Sequence, residues 1–209
     1  MSNVKYPRTP HLPWSLGKTD DDKTLNSTDH FNGMSLVLTV KMDGENTTMT
    51  SDKVYARSVD SADHPSRHWV KSLWSQIHFL IPEGWRVCGE NLFAKHSIAY
   101  ENLGSYFHVF NIWNEYNDCL SWKETLEWCE LLGLHHVEAL YVNFNIKDID
   151  ELHEDFMSLV GKYHEGYVIR NSESFSYKDF SKNVAKYVRA NHVQTDSHWM
   201  YNSITKNGL

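Results

Sequence analysis

The chain has 209 residues, 41% hydrophobic, 13% aromatic and 22% charged, with a net charge of −7 at neutral pH. That size and apolar content suit one soluble globular domain. The acidic balance speaks against a nonspecific nucleic-acid coat, which needs an excess of Lys and Arg, but leaves a local basic cleft open. No apolar run reaches bilayer-spanning length, so no membrane is expected. The three cysteines, Cys88, Cys119 and Cys129, form no CxxC pair and read as reduced thiols in a cytoplasmic setting, and the histidines lack zinc-ligand spacing.

Residues 1–33 include Tyr6-Pro7-Arg8-Thr9-Pro10-His11-Leu12-Pro13-Trp14, too proline-rich for a helix. They are read as an extended arm packed on the body. The apolar run 35–40 predicts a strand ending at Lys41, followed by Asp43 and Gly44. Positions i and i+2 of a strand share a face, so Lys41 and Asp43 are expected to point into one cleft, while Gly44 lets the backbone turn. A neutral lysine amine is a good nucleophile, but its ordinary pKa of about 10.4 keeps it protonated. Burial and neighbouring cations must lower that value before it attacks. The plain alternative is a surface lysine beside a strand-end turn.

Residues 45–50 alternate into a second strand, and 53–59 make a third. Trp69, Leu73, Trp74 and Ile77 recur at helical spacing and predict a helix over 66–80, with Arg67 and Lys71 on one face. Residues 85–90 and 106–113 read as strands. Ser121 followed three residues later by Glu124 matches a capping box, predicting a helix over 122–132 that stops at Gly133. A strand over 137–142, a capped amphipathic helix over 150–160, and strands over 166–170 and 184–189 complete the pattern. Strands joined by hairpins, with few helices, give an α+β fold with antiparallel sheets. No repeat, low-complexity tract or linker divides the chain, so 1–209 is read as a single domain.

Six segments carry charged and aromatic residues in a distinctive order. They are Lys41-Met42-Asp43-Gly44, Tyr55-Ala56-Arg57-Ser58, Gly89-Glu90-Asn91-Leu92-Phe93-Ala94-Lys95-His96-Ser97, Val109-Phe110-Asn111-Ile112, Glu165-Gly166-Tyr167-Val168-Ile169-Arg170 and Val184-Ala185-Lys186-Tyr187-Val188-Arg189. The series resembles the motifs of the covalent nucleotidyltransferases: ATP-dependent DNA and RNA ligases and mRNA capping enzymes. It is most similar to RNA ligases of the phage RNA ligase 2 type and related bacterial and phage RNA ligase domain proteins. The opening residues 5–14 and the closing Asn191-His192-Val193-Gln194-Thr195-Asp196 look like that second group too.

The resemblance implies a ligase adenylation domain whose antiparallel sheets flank an ATP cleft. It implies three stages: a lysine attacks the α-phosphorus of ATP and releases pyrophosphate, AMP passes to a polynucleotide 5′-phosphate, and a 3′-hydroxyl then displaces AMP. Lys41 would be the nucleophile. Lys186 would approach the α-phosphate, stabilising charge there and helping to keep Lys41 neutral. Asp43, Glu90 and Glu165 would hold Mg²⁺ (or Mn²⁺), with Glu90 also binding the ribose. Phe110 would stack on adenine and Arg57 would grip a phosphate. Lys95 and His96, just beyond Glu90, either touch RNA or pack.

Arg189 would stand in for the second cation of the last motif, though one residue further along than usual. Val40 replaces an acid that many relatives carry before the nucleophile. No additional C-terminal or OB domain is expected after the last motif, so the chain is read as a minimal core that either grips RNA weakly or depends on a partner protein. The implied substrate is RNA with 5′-phosphate and 3′-hydroxyl ends, in a bacterial or phage-infected cell. A DNA or mixed nick sealer, or a non-catalytic nucleotide- or RNA-binding module, are the alternative readings.

Overall fold

The computed structural model describes residues 4–58, 63–159, 164–190 and 204–209. The strands are β1 (Leu36–Lys41), β2 (Glu45–Met49), β3 (Val54–Ala56), β4 (Arg86–Asn91), β5 (Phe107–Trp113), β6 (Asp118–Cys119), β7 (His135–His136), β8 (Ala139–Phe144), β9 (Gly166–Asn171), β10 (Phe175–Ser176) and β11 (Val184–Val188). The helices are α1 (His68–Ile77), α2 (Trp122–Leu132), α3 (Ile149–Leu159) and α4 (Phe180–Asn183). One sheet runs β11-β9-β1-β8 and the other β10-β6-β5-β4-β2-β3, all antiparallel, with β7 added parallel to β5. Among the described residues no helix is long and apolar enough to cross a membrane.

The period-2 alternation of strands decides which side chains meet the cleft. On β1, Leu36 and Leu38 enter a core with Leu12, Phe31, Phe156, Tyr167, Ile169, Ala185 and Tyr187. Val37 lies on the other face, against Trp122 and Val137. The register pairs Lys41 with Gly166 and Thr39 with Val168, and Val168 in turn pairs with Lys186. In the second sheet, Met49, Val87, Phe107, Val109 and Ile112 pack under α1 and α2. Cys88, Trp113 and Phe175 fill the space between the sheets with Val184 of β11.

The capping box at Ser121 and Glu124 is fully formed, and Gly133 ends α2 with a φ of 65°. The predicted helix over 66–80 is α1 flanked by 3₁₀ turns at Pro65–Arg67 and His78–Leu80. The strand predicted over 137–142 lies two residues later. Val137 instead donates its N–H to the Val109 carbonyl (2.9 Å) and packs beneath the sheets. The cap expected on the helix over 150–160 sits earlier, as a capping box at Asn145 and Asp148 of the 3₁₀ turn that leads into α3. Strands β6, β7 and β10 have two residues each, too few to show a period. Val59, Val160 and the segment 191–196 lie outside the described residues.

The arm extends β11. The Leu12 N–H donates to the Lys186 carbonyl (2.8 Å) and the Lys186 N–H to the Pro10 carbonyl (2.9 Å). Prolines at positions 7, 10 and 13 suit such an edge segment, which offers few donors.

Candidate active site

A cleft of about 460 Å³ opens between the two sheets. The first sheet contributes Thr39, Lys41, Val168 and Lys186, the second Glu90, Phe110 and Asn111, and Arg57 follows β3. Sequence motifs scattered over 146 positions, from Lys41 to Lys186, therefore converge because β1, β4, β5, β9 and β11 all present one face here.

Lys41 ends β1 with its side chain 22% exposed and forms an ion pair with Glu165, which is itself buried. Burial alone would pull the amine below its ordinary value. Glu165, Glu90 and Asp43 outweigh it, and the net shift is upward. The expectation that neighbouring cations keep Lys41 neutral is therefore reversed in this state. Glu165 touches the amine, and contact with an anion overrides the influence of Lys186. Lys186 is shifted the other way: burial, then Lys41, lower it, and Asp22 (4.0 Å from its Nζ) partly compensates.

Two glycines let these groups approach. A Cβ at Gly166 would run into the Tyr187 carbonyl oxygen, so only glycine lets β11 close against the residue after Glu165. A Cβ at Gly44 would lie 2.6 Å from the Asn91 carbonyl oxygen. Close backbone approach, rather than a turn with positive φ, is what Gly44 provides. It brings the Gly44 N–H to Glu90 Oε1 at 3.2 Å.

Asp43 does not share the face of Lys41, because β1 ends at Lys41 and the alternation stops there. Its Oδ2 accepts hydrogen bonds from the Ser97 and Ile98 amides (2.7 and 2.9 Å), and its Oδ1 lies 4.0 Å from His96 Nδ1. Arg189 also lies away from the cleft. It lies one residue past the end of β11 at Val188, where strand alternation from Lys186 no longer sets its direction. The Arg189 Nε donates to the His164 carbonyl (2.9 Å) and its N–H to the Glu165 carbonyl (3.0 Å), which fixes the turn carrying Glu165. Arg67 lines the cleft rim but is held by Glu45 (2.5 and 2.7 Å), and Lys71 pairs with Asp63 on the surface (2.5 Å).

Arg57 reaches the cleft with its Nε buried and, among the described residues, without a hydrogen-bond partner. A buried unmet donor is costly, and an incoming anion would satisfy it. Phe110 presents its ring to the cleft, braced edge-on by Tyr6 at 5.1 Å. Tyr6 in turn donates to Asn111 Oδ1 (2.6 Å). Tyr6 and Asp22 are site neighbours that motif spacing does not reveal, because the arm delivers them. His11 is buried beside Lys186 and pushed down to about 4 by burial and then by that lysine.

Glu90 is pushed up to about 8, first by burial; Lys41 opposes this, while Glu165 and Asp43 add to it. An acid with a raised folded pKa destabilises the fold as pH rises from its unfolded value of about 4.5 through 8. Over that window the unfolded chain has released a proton that the folded chain still holds. Glu90→Gln is therefore expected to melt above the wild type at pH 8–9 and to match it near pH 4. Paired thermal melts across that range check it, and a constant difference would contradict it.

The carboxylate-rich flank suits a hard cation. Among the described residues no group of three His, Cys, Asp or Glu side chains has metal-holding geometry. Glu90 and Glu165 are the carboxylates that could hold Mg²⁺ or Mn²⁺, which needs only one or two when phosphate oxygens and water complete its shell.

Two antiparallel sheets with few helices are the layout of ligase nucleotidyltransferase domains. The RNA ligase family matches over residues 34–188, and the chain belongs to it. No curated protein sequence matches the chain significantly. Among solved structures, an archaeal ATP-dependent RNA ligase superposes with a TM-score of 0.59 at 16% identity, covering 88% of this chain and 48% of that one. A variant of Naegleria gruberi RNA ligase in its apo form gives 0.53 at 17%, covering 90% and 62%. Another variant of that ligase, with ATP and Mn, gives 0.52 at 15%, covering 90% and 61%. The chain thus spans about half to three-fifths of the length of these structures.

Proposed function

We propose that the chain is an ATP-dependent RNA ligase that forms a covalent lysine-adenylate at Lys41. The observation that carries this reading is the placement of Lys41 between a carboxylate flank of Glu90 and Glu165 and a cationic flank of Lys186 and Arg57. A metal-triphosphate has the complementary charge pattern. In the first stage the Lys41 Nζ forms a bond to the α-phosphorus while the bond to pyrophosphate breaks. AMP then passes to a 5′-phosphate, and a 3′-hydroxyl displaces it to join the strands.

Lys186 and Arg57 would stabilise charge on the phosphate oxygens. Phe110 and Val168 would enclose the adenine, a stacked ring being worth about 1–3 kcal/mol. A bound Mg²⁺ or Mn²⁺ would neutralise triphosphate charge beside Glu90 and Glu165. Neutralising those carboxylates removes what holds Lys41 protonated, leaving burial and Lys186 to favour the free amine.

Incubation with ATP and Mg²⁺ followed by intact-mass measurement tests this reading. The expected result is a gain of one AMP, and a chain that stays at its original mass would be a binding module instead. Sealing of nicked duplexes with RNA or DNA on either side then separates an RNA ligase from a DNA or mixed nick sealer.

A further inference from the structure

Residues 204–209 return to the body of the fold at a place remote in sequence. The Lys95 N–H donates to the Thr205 carbonyl (2.7 Å), and Lys206 pairs with Ala94 as an isolated bridge. Asn207 is 4% exposed and uses every polar group it has. Its Oδ1 accepts from the Tyr100 N–H (3.0 Å), and its Nδ2 donates to the Leu92 and Ala94 carbonyls (2.7 and 3.5 Å). Its own N–H donates to the Phe93 carbonyl (3.2 Å), and its carbonyl accepts from the Tyr106 hydroxyl (2.9 Å). A single asparagine thus ties together the whole segment between β4 and β5.

That segment is what grips the loop after the nucleophile. The Tyr100 hydroxyl accepts the Asp43 N–H (2.9 Å), and the Ser97 and Ile98 amides hold the Asp43 carboxylate. Tyr100 also packs with Leu92, Leu103 and Tyr106 beneath Met42. A continuous path of hydrogen bonds therefore runs from Asn207 through Tyr100 to Asp43, two residues past Lys41. Attack on phosphorus needs the amine placed within a fraction of an ångström, so slack in this path acts on the rate.

We infer that residues 204–209 form a strap, and that Asn207 and Tyr100 are positioning residues that hold Lys41 to Gly44 in the geometry for attack on ATP. The inference rests on the proposed lysine-adenylate chemistry for its consequence, though not for the contacts themselves. Asn207 is suited to the task because only an amide both donates to two carbonyls and accepts from Tyr100. Aspartate loses the donors and brings a charge into a buried site.

The test compares wild type, Tyr100→Phe and Asn207→Ala by the single-turnover rate of AMP loading and by hydrogen exchange of the 41–45 peptide. Tyr100→Phe keeps the ring packing and the bond to Asn207 while removing the acceptor for Asp43. Loading at saturating ATP is expected to fall about tenfold or more in both variants, with the half-saturating ATP concentration within about twofold. Exchange at 41–45 is expected to rise, while peptides from α1 and α2 keep their protection. Wild-type rates in both variants, or a change confined to half-saturation, would overturn the strap. Unchanged exchange at 41–45 would overturn it even in a protein that never loads AMP. The reverse pattern, faster exchange without any loading by the wild type, would instead overturn the ligase reading and leave the strap standing.

Discussion

Replacing Lys41 by alanine or arginine is expected to abolish AMP loading, by about 10⁴-fold or more, the scale on which removal of a covalent nucleophile acts. The two variants separate chemistry from charge. Arginine keeps a cation that can face Glu165 beside it, yet its guanidinium stays protonated at any working pH and cannot attack. Alanine takes the Lys41 amine away from the buried Glu165 carboxylate, so some loss of stability is expected there but not in the arginine variant. Both should therefore fail to gain mass with ATP and Mg²⁺, while only alanine lowers the melting temperature. The third stage forms no bond to the lysine. Joining of an RNA strand already carrying a 5′-adenylate should thus survive in both variants. Loading by either would remove Lys41 from the mechanism.

The parts of this site that local sequence reveals are those whose chemistry is local. Ser121 and Glu124 announce α2 because a capping box closes within four residues, and it forms as read. The residues Lys41, Glu90, Phe110 and Lys186 sit on strands whose alternation sends them to one face, and they do line one cleft. The resemblance to the ligases points to this same set. Asp43 escaped because a two-residue rule holds only while the strand lasts, and β1 stops at Lys41. Arg189 follows from the same limit, since β11 ends at Val188 and the residue after it turns its side chain to the His164 carbonyl.

The protonation of Lys41 was beyond reach for a different reason. Its direction depends on whether an anion or a cation stands nearer, and that is a matter of ångströms between strands far apart in sequence. Asn207, Tyr100 and Asp22 lie in no motif. Their roles arise only when residues 204–209, the segment after β4 and the arm fold against the sheets.

Glu165→Gln sets two effects of one carboxylate against each other. The substitution keeps the size of the side chain, and the backbone bond from Arg189 to residue 165 is untouched. With the carboxylate gone, Lys41 loses its strongest anionic support, and burial together with Lys186 pulls the amine down. If holding the resting lysine were the whole role of Glu165, the variant would load AMP faster than wild type at neutral pH. A carboxylate that also carries a cation to the phosphates gives the opposite result. The expected outcome is a loss of about 10²–10³-fold in loading at pH 7, the scale of removing one preorganised charge from a phosphoryl-transfer site. The rise of rate with pH is expected to move toward lower pH in the same variant. Finding the slower rate together with the shifted profile requires both roles, because each single role predicts only one of the two changes.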